Sequence, residues 1–173
     1  MNYAKIRNYD IANGEGVRTS LFVSGCTNHC DGCFNQREQD FDYGIPFTIQ
    51  TLRQICELLD NPVISGLSLL GGDPMCQDEE GLFNLTALCV YAHQIGKNVW
   101  LWTGFLWEDI YNVKSLDSRK IFQRTLLCNC DVVVDGPFKK ELSNRVLKWC
   151  GSANQRIIDV KKTISERRVI LYG

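Results

Sequence analysis

Short apolar runs at 19–24, 66–70, 99–103 and 131–135 alternate with stretches of helical periodicity, and this alternation limits the fold more than any other feature of the chain. Strands that read as near-continuous apolar runs are buried on both faces, and a chain that sets a helix between each of them makes parallel βαβ units. Thr48 can cap a helix with apolar positions at Leu52, Ile55, Cys56 and Leu59, which Asn61-Pro62 stops. Leu82, Leu85, Leu88, Cys89, Ala92 and Ile95 mark one face of a second helix, ended by Gly96, and residues from about 106 to 127 are broadly helical. Parallel units concentrate function in loops at the strands' C-terminal ends. The loop after residue 24, the Gly71-Gly72-Asp73-Pro74 turn, Thr103-Gly104 and Asp135-Gly136 are therefore expected on one rim. A closed eight-fold barrel takes about 250 residues. With 173 residues, the expectation is an α/β fold in the form of an open partial (βα) barrel. It forms one domain over 1–173, irregular from about 139, and the pattern assigns no state to 156–160.

The formal net charge is −1 with both signs interspersed, which gives no basic stripe for nucleic acid and no charged tail for a membrane surface. The start, Met1-Asn2-Tyr3-Ala4-Lys5-Ile6-Arg7, carries charge where a signal peptide needs an apolar stretch, and no later run is long and apolar enough to span a bilayer. The expectation is a cytoplasmic protein. Nine cysteines in a reducing compartment point to metal ligation or reactive thiols rather than disulfides. Cys56 and Cys89 fall inside helical apolar patterns and read as small core hydrophobes.

Cys26-Thr27-Asn28-His29-Cys30-Asp31-Gly32-Cys33 sets three thiols within eight residues, and Gly25 and Gly32 permit the tight turns that let them converge on one centre. Structural zinc sites and electron-carrier clusters take four protein ligands, whereas three leave an open position for a substrate. On spacing alone a zinc site completed by His29 or by the distant Cys76 stays open as the alternative. His29 reads as a loop residue, and His93 lies in a helix with no evident partner. With no Gly-x-Ser-x-Gly elbow, Walker A loop or His-Glu-x-x-His motif, the chain offers little for a hydrolase or a kinase.

The Cys-x3-Cys-x2-Cys spacing on the loop after the first strand resembles the signature of the radical S-adenosylmethionine superfamily. That resemblance implies one 4Fe-4S cluster on Cys26, Cys30 and Cys33, S-adenosyl-L-methionine on the remaining iron, and a partial barrel of the radical S-adenosylmethionine type. The implied reaction is reductive cleavage of S-adenosylmethionine to a 5′-deoxyadenosyl radical. The implied cofactor contacts are Gly32, Cys33, Phe34, Gly71, Gly72, Asp73, Thr103 and Asp135, with the Gly-Gly turn admitting the methionine amino group to the backbone. Phe34 is expected near the adenine or in the core, and Asp135 at the cofactor or in a turn or helix cap.

Cys33-Phe34-Asn35 is similar to the form found in activating enzymes of anaerobic ribonucleotide reductases. So are Asn13-Gly14-Glu15-Gly16-Val17-Arg18, Trp100-Leu101-Trp102-Thr103-Gly104, Val134-Asp135-Gly136-Pro137-Phe138 and Gly151-Ser152-Ala153-Asn154-Gln155-Arg156, in that order along the chain. This resemblance implies a protein substrate, the anaerobic ribonucleoside-triphosphate reductase, which loses a hydrogen from a glycine near its C-terminus. It also implies a low-potential electron donor such as flavodoxin. Three features depart from the family pattern: Gly32 stands where an aromatic is usual, Cys150 where arginine is usual, with Lys148 as a substitute, and Pro137 where some relatives carry lysine. The alternatives are a pyruvate formate-lyase activase, a deazaguanine synthase, or a non-catalytic zinc or iron-sulfur binding module.

Overall fold

The computed structural model describes residues 1–112, 115–144 and 146–173. In chain order the elements are β1 (Asn2–Asp10), β2 (Arg18–Val23), β3 (Ile45–Pro46), α1 (Ile49–Leu59), β4 (Gly66–Gly71), α2 (Glu79–Gln94), β5 (Asn98–Trp102), α3 (Trp107–Tyr111), α4 (Ser118–Cys128), β6 (Val132–Asp135), β7 (Arg156–Asp159) and α5 (Val160–Glu166). The strands make one sheet in the order β3-β1-β2-β4-β5-β6-β7. Its four middle strands, β2, β4, β5 and β6, run parallel, as the sequence alternation requires. Contrary to an all-parallel expectation, β1 and β3 are antiparallel on one flank and β7 on the other. The fold is a mixed, open α/β sheet.

Every residue of β2 and β4 is buried, the polar Arg18, Thr19, Ser20 and Ser68 included, which is why neither shows the in-out alternation of a half-exposed strand. Leu21, Val23, Leu67, Leu69, Val99, Leu101 and Val133 point to the helical side and pack with Ile55, Leu59, Leu82, Leu85, Leu88, Cys89, Leu126 and Leu127. Thr48 and Thr51 close a reciprocal capping box at the start of α1, and Asp78 caps α2 by accepting from the Gly81 N–H. The expected helical region 106–127 is two helices, α3 and α4. Val113 and Lys114, part of that expectation, and Arg145, part of the irregular segment, lie outside the described residues.

The other face of the sheet carries a second cluster of Trp100, Val132 and Val134, against which Trp102, Trp149, Cys150, Ile157 and Tyr172 pack. The 156–160 run is β7 followed by α5, whose cap Asp159 accepts from the Lys162 N–H. His93 is not partnerless: its Nε2 lies 2.8 Å from Asp131 Oδ2, which also accepts from the Val99 N–H at 2.8 Å. Folding the end of α2 back along the sheet brings that helix beside the start of β6. Among the described residues no helix is long and apolar enough to cross a membrane.

Arg18 ties the N-terminal ends of the parallel strands together on the face opposite the helices. It is fully buried, and its Nε donates to Ser68 Oγ at 2.6 Å. Its Nη1 donates to Glu15 O at 2.9 Å and Asn98 Oδ1 at 2.8 Å, and Nη2 to Leu67 O at 2.7 Å. The guanidinium also sits 5.6 Å from the Trp100 ring. Burial pulls it down to about 10, with more distant acids opposing. Arg18→Met keeps much of the stem but leaves these acceptors unpaired, each costing about 1–3 kcal/mol, partly offset by no longer burying a charge. We predict a loss of about 2–4 kcal/mol, read as a lower urea midpoint at unchanged slope; an unchanged midpoint would show that the fork contributes no net stability.

Candidate functional site

The cysteine loop leaves β2 between two neighbouring segments that pin its first residues. Gly25 N–H donates to Glu38 O at 2.8 Å and Cys26 N–H to Gln39 O at 3.0 Å. From the other side Gly72 N–H donates to Val23 O at 2.7 Å and Asp73 N–H to Gly25 O at 2.8 Å. Gln77 adds a side-chain bond to Ser24 O at 3.0 Å. The loop therefore starts from a fixed backbone.

Cys26, Cys30 and Cys33 all line one cavity of about 500 Å³, within the size range of cofactor pockets. The backbone N–H of Asn28 donates to Cys26 Sγ at 3.4 Å, and that of Asn35 to Cys33 Sγ at 3.4 Å. Such donors favour the thiolate, the form that ligates metal. The Cys26 thiol is pulled down to about 6, first by the neighbouring Cys76 thiol, against burial, and further by Asn28. Burial pushes the Cys30 thiol up; Phe138 N–H lowers it, and Cys26 and Cys33 raise it again. Three sulfurs lining one volume are suited to a cationic centre, and this donor set fits an iron-sulfur cluster. His29 is exposed on the loop with φ 46, a left-handed backbone.

Asp73 is 1% exposed and its carboxylate accepts four hydrogen bonds. Oδ1 takes the Met75 N–H at 2.9 Å; Oδ2 takes Asn28 Nδ2 at 2.9 Å, Thr103 Oγ1 at 3.1 Å and the Gly104 N–H at 2.9 Å. Asp73, Cys26 and Cys76 have ligand atoms within 4.8 Å of one another. Three of these donors crowd Oδ2 and one engages Oδ1, and the group offers at most three protein ligands, fewer than the four of a structural zinc site. Cys76 Sγ instead faces Thr27, 3.4 Å from its N and 3.3 Å from its Oγ1.

Gly71 has φ +114, and a Cβ there would meet the backbone of Val23 within 2.6 Å. A Cβ on Gly72 would lie 2.5 Å from both Glu38 O and Gly25 O. Glycine is required at this turn because β2 and the cysteine loop press against it. A side chain at residue 72 would displace the cysteine loop itself, so a substitution there disturbs the two halves of the site together.

The cavity wall also contains Phe34, Gly71, Gly72, Asp73 and Thr103, all singled out in the sequence, whereas Gly32 and Asp135 lie off it. Phe34 is not a core residue: it is 75% exposed, with its ring 5.1 Å from that of Phe138. Asp135 is fully buried; its Oδ2 caps α3 by accepting from the Trp107 N–H at 2.8 Å, and its Oδ1 takes Arg156 Nε at 2.9 Å. Lys148 sits 4.2 Å over the Trp149 ring, while Cys150 itself lines the cavity.

Sequence reasoning missed Lys5, Arg7, Ala12 and Asn13 on one wall and Leu147 and Trp149 on another. The second wall is held by Trp102 Nε1, which donates to Trp149 O at 2.8 Å, and by Trp100, 4.7 Å from the Trp149 ring. The Trp100-x-Trp102 pair was its signal.

A family model described as a 4Fe-4S single cluster domain matches residues 12–158. The chain is 39% identical over 158 residues to the anaerobic ribonucleoside-triphosphate reductase-activating protein of Enterobacteria phage T4, covering 91% of this chain and 93% of the relative. It is 38% identical to the protein of that name from Haemophilus influenzae, covering 91% and 97%, and 37% identical to that of Escherichia coli K12, covering 90% and 96%. A match of this length and identity, on a chain whose three loop cysteines meet at one cavity, places it: it belongs to the family of anaerobic ribonucleoside-triphosphate reductase-activating proteins, with a 4Fe-4S single cluster domain.

Proposed function

We propose that this chain is the activase of an anaerobic ribonucleoside-triphosphate reductase. It places a glycyl radical on its target by using a 4Fe-4S cluster and S-adenosyl-L-methionine in an open partial barrel of the radical S-adenosylmethionine type. The observation that carries this reading is the convergence of Cys26, Cys30 and Cys33 with the Gly71-Gly72-Asp73 turn and Thr103 around one cavity. Near-full-length relatives that share the reductase-activating name favour this target over that of a pyruvate formate-lyase activase or a deazaguanine synthase.

The three thiolates would hold the cluster, with the Asn28 and Asn35 N–H groups, which donate to Cys26 and Cys33, stabilising their charge. When bound, the cluster supplies an electron to the sulfonium of S-adenosylmethionine, and the cleavage that follows provides the radical chemistry that removes a glycine hydrogen. Gly71, Gly72, Thr103 and Phe34 are the residues on the wall available to the second cofactor. Asp73, on the same wall, holds the cysteine loop, and Asp135, off it, holds α3. Phe22, Leu70, Trp102 and Trp149 give the cavity an apolar lining that excludes water. The sheet does not close, so a glycine-bearing loop of the reductase completes the enclosure and brings its Cα hydrogen into position. A low-potential donor such as a flavodoxin would supply the electron that this chemistry consumes. Nine free cysteines suit a reducing, cytoplasmic setting.

Replacing Cys26, Cys30 or Cys33 by alanine should abolish the 4Fe-4S Mössbauer signature after anaerobic reconstitution, while Cys76→Ala and Cys89→Ala should retain it. An intact cluster after loss of any one of the three would remove that residue from the ligand set. The activity is tested by mixing reduced, reconstituted protein with the cognate reductase and S-adenosylmethionine: a glycyl-type EPR doublet should appear on the reductase. No doublet, with the cluster intact and S-adenosylmethionine being cleaved, would transfer the chain to another radical reaction.

A further inference from the structure

Asn28 makes an unusual set of contacts for a loop residue between two ligands. Its Nδ2 lies 2.9 Å from Asp73 Oδ2 and 3.5 Å from Cys26 Sγ, while its backbone N–H points at the same sulfur from 3.4 Å. An amide nitrogen carries two hydrogens, one for each of these acceptors, and since both neighbours are acceptors the nitrogen and not the oxygen must face them. Asp73 is itself immobilised by the Thr103 hydroxyl and the Gly104 N–H. Gly104 leaves the space in which the amide lies, because a Cβ there would collide with the Asn28 side chain. Cys33 is treated differently: its sulfur takes the Asn35 N–H, but the Asn35 side chain turns away to Gly71 O at 3.1 Å.

The geometry points to Asn28 as a positioning residue whose clamped side-chain amide donates to the Cys26 sulfur and sets how readily a cluster ligated there accepts an electron. This rests on the assignment of Cys26 as a cluster ligand. Reduction adds one electron, taken from the external low-potential donor, and no bond forms or breaks. The added negative charge spreads onto the sulfurs, so an N–H donor stabilises the reduced form more than the oxidised one and raises the potential. Asp73 and Gly104 make this donor permanent by denying the amide any other orientation.

The test is an anaerobic potentiometric titration of the reconstituted protein with dithionite and mediators, followed by EPR of the reduced cluster. Asn28→Ala and Asn28→Leu both remove the side-chain donor and keep the backbone N–H; the leucine variant also preserves the filled space. Both should lower the one-electron reduction constant about tenfold, a midpoint about 59 mV more negative, with iron content and Mössbauer spectra unchanged. Asn35→Leu, whose side chain does not reach a sulfur, should leave the midpoint in place. Intact clusters with reduction constants within about twofold of wild type, an equal shift in Asn35→Leu, or loss of the cluster in both Asn28 variants would each overturn the inference. Wild-type protein that assembles no 4Fe-4S cluster would instead defeat the proposed function, and this inference with it.

Discussion

A carboxylate buried at 1% exposure is costly unless its lone pairs are satisfied, and Asp73 meets that condition with donors from three separate segments. Asn28 comes from the cysteine loop, Met75 from the turn after β4, and Thr103 and Gly104 from the end of β5. Burial pushes the carboxyl up to about 7, against the pull of the Gly104, Met75 and Thr103 donors. The result is a knot in which the C-terminal ends of three parallel strands are fixed relative to one another. The cysteine loop inherits its position from that knot.

From there the site is assembled by the sheet. Parallel strands deliver the cysteine loop, the Gly-Gly turn and the Thr103-Gly104 turn to one rim, while Arg18 secures the opposite end of the same strands. The outer wall comes from far along the chain: the segment around Trp149 folds back on Trp100 and Trp102 and meets the cavity from the side opposite β1. An open sheet thus acquires two flanking walls without closing into a ring. That leaves the cavity deep enough for a cofactor and accessible to a partner protein, the combination required by the proposed chemistry on a glycine of another polypeptide.

The middle of the fold was legible because β2, β4 and β6 are buried along their whole length and each carries a short apolar stretch, Leu21–Val23, Leu69–Leu70 and Val132–Val134, without polar alternation. β1 was not legible: only Tyr3 and Asp10 of its nine residues are buried, and the exposed Lys5 and Arg7 alternate with the merely half-buried Ala4, Ile6 and Asn8. β7 has four residues on a flank and carries too little pattern to separate from a loop. Within the site, the three cysteines stood out by their spacing, which depends on local backbone, while the Gly-Gly turn was singled out by family resemblance. The work of Asp135 was not legible, because a carboxylate at a strand end can cap a helix or face a ligand, and Arg156, 21 residues away, settles its engagement. Gly72 was read as a concession to a ligand, yet the backbone it makes room for is that of Gly25 and Glu38. The Asn28 clamp has no sequence signature at all, since its partner Asp73 lies 45 residues on.

The central claim is that the cavity bounded by Cys26, Cys30, Cys33 and the Gly71-Gly72-Asp73 turn brings a cofactor-derived radical to a glycine Cα of the reductase. Isotope transfer tests it most directly. Reductase labelled with deuterium at glycine Cα is incubated anaerobically with the reduced, cluster-loaded protein and S-adenosylmethionine, and the 5′-deoxyadenosine formed is weighed by mass spectrometry. The account predicts one deuterium gained in 5′-deoxyadenosine as the reductase acquires its radical. Sustained release of unlabelled 5′-deoxyadenosine, with the deuterium still on the reductase, would contradict it.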